Sequence, residues 1–161
     1  MSSETFRRIR DLTTRAIEDE CTLAEAIALL EEARENLVSL GVLAEAAGTL
    51  LCAAGIAQRH GANVLARTLC QRAAADAPWW GEVYSTMAHV ETTLALEYLS
   101  AHDIARASLM LGRGARHHRK AARLMLNAEP HEAAIENRLA ERALAKRQDL
   151  RRGVSRVFRR E

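Results

Sequence analysis

Arg113 and His118 stand in the run Arg113-Gly114-Ala115-Arg116-His117-His118-Arg119-Lys120, the stretch where residue types and spacing come nearest to catalysis. An imidazole can move a proton and a nearby guanidinium can hold an anion, the elements of acid–base catalysis on a charged substrate. The plainer reading makes His117 and His118 part of a basic surface. His89, His102 and His131 do not stand at the Glu-x-x-His spacing of helical di-metal sites. His89 reads as an edge contact to Glu82 or Glu97. A Gly-rich phosphate loop, a nucleophile elbow and a Cys-x-x-Cys pair are all missing. Cys21, Cys52 and Cys70 are too far apart for a metal knuckle and read as reduced, buried thiols of a cytoplasmic protein. The expectation is a non-enzyme without a catalytic residue, a metal, a cofactor or a small-molecule substrate.

Binding is better supported than catalysis. Residues 1–111 carry 9 Lys+Arg against 15 Asp+Glu, and residues 112–161 carry 14 against 6. The overall +2 therefore hides an acidic first part and a basic last third. The basic residues fall in two groups. Arg113, Arg116, Arg119, Lys120 and Arg123 form the first; Arg138, Arg142, Lys146, Arg147, Arg151, Arg152, Arg156, Arg159 and Arg160 form the second. A solvated helix face is normally laced with acids three or four residues away, but here Asp149 before Arg152 is the one acid-first pair of the last helix. Like charges instead recur at four-residue spacing, at 138/142, 142/146, 147/151, 152/156 and 156/160. Each such pair costs roughly 0.2–0.5 kcal/mol in an isolated helix. A polyanion would relieve that repulsion.

Arginine matches phosphate oxygens in geometry, so RNA or DNA backbone is the expected partner. Base reading is not expected, because zinc-finger spacing, a helix-turn-helix signature and an aromatic platform are all absent. Membrane contact is also disfavoured, since the last helix has a modest aliphatic stripe (Ile135, Leu139, Ala143, Leu150, Val154, Val157) without an aromatic anchor. An acidic first part could equally meet the basic part of another copy, giving self-association, or other protein subunits.

The elements that must hold these residues are all helical. Ala and Leu dominate the apolar residues, β-branched residues are few, and aromatics make up 4% of the chain. Helices are predicted over 5–20, from the Thr22-Leu23-Ala24-Glu25 capping box to Gly41, over 42–59 and over 62–76. Three more follow: one from Gly81, one from Ile104 into the basic stretch with a bend or frayed turn at Gly112 and Gly114, and one over 131–160. Helix 42–59 is apolar nearly all round, which predicts a central position. Trp79-Trp80 after Pro78 reads as a core contact at a helix start, with a ligand wall as the alternative. The length predicts one domain, 1–161, with an acidic scaffold over 1–111 and a basic part over 112–161.

Within 47–80, Ala53, Ala54, Gly61, Ala66, Ala73 and Pro78 stand where a tetratricopeptide repeat keeps small residues, its turn glycine and its final proline. The segment resembles one such repeat, with Leu50, Ala57 and Cys70 in place of the usual Trp, Tyr and Phe. The resemblance implies stacked helical hairpins and a protein-interaction adaptor or chaperone, here for an acidic partner. Arg113 to His118 also resembles the Arg-x4-6-His motif of HEPN ribonucleases, with Gly114 where that family usually has a polar residue; the resemblance implies phosphodiester cleavage with His118 as acid/base and Arg113 holding the scissile phosphate. Taken together, the sequence predicts an all-α, cytoplasmic scaffold subunit of a ribonucleoprotein-like assembly.

Overall fold

Seven α-helices and no strand make up the residues described by the computed structural model, 3–17 and 22–157. They are α1 (Ser3–Ile17), α2 (Leu23–Ser39), α3 (Leu43–Arg59), α4 (Asn63–Asp76), α5 (Gly81–Ser100), α6 (Ile104–Met125) and α7 (Pro130–Val157). Cys21 lies outside the described residues. The fold is all-α. The chain divides into two compact units, Met1–Val83 and Tyr84–Glu161. That boundary falls in the first turn of α5, well before the change of charge in α6.

In the first unit, α1 packs on α2, α2 on α3 and α3 on α4. Thr22 caps α2 as its sequence predicts: its hydroxyl accepts from the Glu25 N–H, and its own N–H donates to Glu25 Oε2 at 2.8 Å. The Thr22 hydroxyl, which also donates to Glu25 Oε2 at 2.7 Å, and the Thr22 N–H hold the Glu25 carboxyl below the ordinary carboxylate value, the hydroxyl having the larger effect. Gly41 and Gly61 adopt φ of 72° and 71° after α2 and α3. Each closes a Schellman turn, in which the next residue's N–H bonds back to a carbonyl five residues earlier (Val42 to Leu37, Ala62 to Ala57). Ile9, Leu12, Ala33, Leu37 and Ala46 form a core under these turns.

Ala53, Ala54, Ala66 and Ala73 are fully buried, which lets the α3 and α4 backbones approach closely. Two expectations need correction here. Of the two described cysteines only Cys70 is buried, and Cys52 on the central helix α3 is exposed. Trp79 is 58% exposed, and Trp80 alone packs inward, its ring 3.8 Å from where a Cβ on Gly48 would stand.

The second unit is built on α5, α6 and α7, with α6 and α7 packed along each other. Helix α5 buries Tyr84, Met87, Ala88, Glu91, Leu94 and Ala95 at heptad-like spacing. His102, at φ 59°, closes it with the same turn that glycine makes elsewhere. Helix α6 runs unbroken through Gly112 and Gly114, where a bend was expected. Both glycines are buried close-approach points. A Cβ on Gly112 would lie 2.9 Å from the Arg147 guanidinium, and one on Gly114 would lie 3.3 Å from the Ala88 carbonyl oxygen and Thr92 Oγ1. Helix α7 buries Ala133, Glu136, Ala140 and Ala143, whereas Ile135, Leu139 and Leu150 are only half-buried. The seam is thus shifted from the aliphatic stripe towards small residues, because α6 approaches too closely for large ones.

Candidate nucleic-acid interface

The basic residues of the second unit separate into bare and seated ones. Arg116, Arg119 and Arg123 follow one another along the exposed face of α6, while Arg113 and Lys120 are half-buried at its edges. Arg138, Arg142, Lys146, Arg151 and Arg152 are exposed on α7, and Arg147 is half-buried. Arg156 belongs to the last turn of α7, and Arg159 and Arg160 lie outside the described residues. Contacts from His118 to Glu136 and from Gly112 to Arg147 fix the register of the two helices. They place Arg116 and Arg119 level with the α7 turns that carry Arg138 and Arg142. Among the described residues, Arg116, Arg138, Arg142, Lys146 and Arg152 make no ion pair.

Lys120 is held differently. Its ammonium lies 3.9 Å from the centroid of the Tyr84 ring, a cation–π contact, and the same ring tilts against His117 at 6.1 Å. Lys120 is therefore anchored on α5, not free on the surface. Arg147 is held by packing over Gly112, and its Nε–H is buried without a hydrogen-bond partner. Leaving such a donor unmet costs about 1–3 kcal/mol.

His117 and His118 are not basic surface. His117 Nδ1 lies 2.7 Å from Oε2 of Glu91, a carboxylate with no exposed area in the middle of the α5 stripe. His118 is 2% exposed and its Nδ1 lies 2.6 Å from Glu136 Oε2. Glu136 Oε1 accepts a further bond from Ser85 Oγ at 2.8 Å. His89 meets the His118 ring edge-on, with centroids 5.5 Å apart, and does not pair with Glu82 or Glu97 as the sequence suggested. Burial pushes the His118 imidazole below its ordinary 6.5, against the upward pull of Glu136 and with a further push from His89 and His117. A neutral ring with Nδ1–H donating to Glu136 is the state this arrangement favours.

These buried contacts set the surroundings of the Arg113–His118 spacing. Cleavage of a phosphodiester requires the imidazole to reach the phosphate, and His118 is instead enclosed between α5 and α7 side chains. Among the described residues, no group of three or more His, Cys, Asp or Glu is arranged to hold a metal ion, and no helix is long and apolar enough to cross a membrane.

Glu91, Glu136, Ser85 and Tyr84 escaped the sequence reading. A signal for the two glutamates was present: each is a carboxylate in phase with a buried stripe, opposite a helix that offers two adjacent histidines. No family profile, curated protein or solved structure matches the chain.

Proposed function

We propose that the protein is a non-catalytic scaffold subunit whose second unit lies along a nucleic-acid backbone, with little regard to base sequence. The observation that carries this reading is the set of exposed cations on α6 and α7 that lack an acid partner, at matched levels of two packed helices. Surface arginines without acids keep their full charge for an external anion. A planar guanidinium that donates to two phosphate oxygens at once suits this role better than an ammonium. The buried position of His118 favours this reading over the HEPN-like ribonuclease. Cys52 and Cys70, as thiols outside any disulfide, accord with the reducing cytoplasm as its site. The exposed Trp79 and Val64 of the first unit are the natural contact points for other protein subunits of such an assembly.

The test is binding of the purified chain to labelled single- and double-stranded nucleic acid across a salt series. Affinity is expected to fall steeply and linearly in log–log form, with little dependence on sequence. Arg142→Glu combined with Lys146→Glu should weaken binding by at least about tenfold and lower the salt slope by about two. Unchanged binding in that double variant would remove the basic face from the mechanism. Absence of wild-type binding at low salt would favour the second reading, a tetratricopeptide-like adaptor for an acidic protein.

A further inference from the structure

We propose that Arg147 is the preorganised phosphate contact of this surface, and that Gly112 exists to seat it; the inference rests on the nucleic-acid reading above. Three observations converge on this residue. Its guanidinium lies where a Cβ on Gly112 would stand, at 2.9 Å from both Cζ and one terminal nitrogen and 3.2 Å from Nε. Only a residue without a side chain allows that approach, so the seat is written into the sequence of α6. The Nε–H is buried and bonded to nothing. Its near neighbours in sequence and register, Arg113, Arg116, Lys146 and Arg151, carry the same charge.

A structural arginine is normally half-buried against a carboxylate, as Arg34 is on Asp76 in the first unit. Asp149, the nearest acid along α7, is two residues away and so projects from another side of the helix. A half-buried guanidinium among cations, its Nε–H unmet, is a poor device for stability and a good one for capturing an anion. Exposed arginines lose rotamer freedom when they grip a phosphate, whereas Arg147 is already fixed by packing and loses less. Its remaining N–H donors are the part of the guanidinium open to a ligand oxygen. The matching ligand is one phosphodiester group of a polynucleotide, held with the flanking Arg113, Arg116 and Lys146 as looser contacts.

Two substitutions that leave the net charge untouched test the seat. Gly112→Ala displaces the guanidinium, and Arg147→Lys keeps the charge but removes the planar fork. Binding of each variant to a fluorescein-labelled oligodeoxythymidylate is measured by anisotropy, alongside helicity by circular dichroism. Gly55→Ala is the control, since a Cβ at that position meets open space in the first unit. Each variant is expected to bind about tenfold more weakly with helicity retained, the scale of one charge-assisted hydrogen bond, and Gly55→Ala to bind as wild type. If Gly112→Ala loses helicity, Arg147→Lys alone decides. Variants that match a tightly binding wild type would overturn the role of Arg147 and leave the basic face standing. A wild type that fails to bind the oligonucleotide at low salt would overturn both.

Discussion

The two units handle charge in opposite ways. In the first, arginines on the helix surfaces are matched to acids on neighbouring helices. Arg34 makes two bonds to Asp76, at 2.7 and 2.8 Å, across α2 and α4; Arg72 holds Glu31 with both ends of its fork; and Arg8 of α1 meets Glu32 of α2. In the second unit, the two buried carboxylates, Glu91 and Glu136, face histidines in the interior, and Arg116, Arg138, Arg142, Lys146 and Arg152 make no ion pair among the described residues. The same residue types therefore serve different ends. Cross-helix pairs fasten one unit together, while the other turns Glu91 and Glu136 inward and pairs Arg106 with Asp103 at its surface, so most of its α6 and α7 cations form a positive face.

The most damaging change should be loss of the interior acid. Glu136→Ala leaves the His118 Nδ1–H and the Ser85 hydroxyl without their acceptor, and is expected to cost about 3 kcal/mol in denaturant unfolding. Glu136→Gln, which keeps an acceptor, should cost about a third of that. A neutral outcome for Glu136→Ala would break the contrast by making the buried pair dispensable. The same site gives the second unit a pH dependence of known sign. Above 6.5, His118 is neutral in both folded and unfolded chains. Below it the unfolded chain takes up a proton that the folded one resists, because burial, helped by His89 and His117, outweighs the pull of Glu136. Stability is therefore fully present above 6.5 and is lost as the pH falls towards and through the lower folded value, and His118→Gln should flatten that limb of the curve.

A smaller loss is expected where the first unit is fastened. Asp76→Ala removes both bonds to the partly buried Arg34 side chain and should cost about 1–2 kcal/mol, with nucleic-acid binding unchanged. Smaller still is the gain at the α5–α6 turn, where the second unit places His102 in the left-handed conformation that glycine occupies after α2 and α3. His102→Gly should raise stability by about 1 kcal/mol at most, measured as a shift in thermal midpoint.

Much of this architecture was legible in the sequence. The helix order, the Thr22 box and the turns at Gly41 and Gly61 follow from local rules that need no knowledge of partners. Gly112 and Gly114 misled because glycine has two meanings in a helix, weakness and close approach, and only the neighbouring helix chooses between them. Trp79 and Trp80 are adjacent, so they project in different directions from the chain, and a single prediction for the pair could not hold for both. His117 and His118 were hidden by their basic neighbours. Their partners lie 26 and 18 residues away, beyond any local pattern.

The finest test of the contrast is a variant that should improve one property and harm another. Arg142 stands at four-residue spacing from both Arg138 and Lys146, exposed and without an ion pair among the described residues. Arg142→Gln removes two like-charge neighbours while keeping a good helix former. It should therefore stabilise the chain slightly, by about 0.4–1 kcal/mol at low salt, with the gain fading as salt screens the repulsion. The equivalent change in the first unit, Arg34→Gln, should destabilise instead, because there the arginine has an acid to hold. Opposite signs from the same substitution would mean that charge in the second unit is kept at a cost to folding, as a face reserved for an anion requires. Matching signs would mean that the bare cations are balanced in some other way, and the basic face would lose its distinction from ordinary solvated surface.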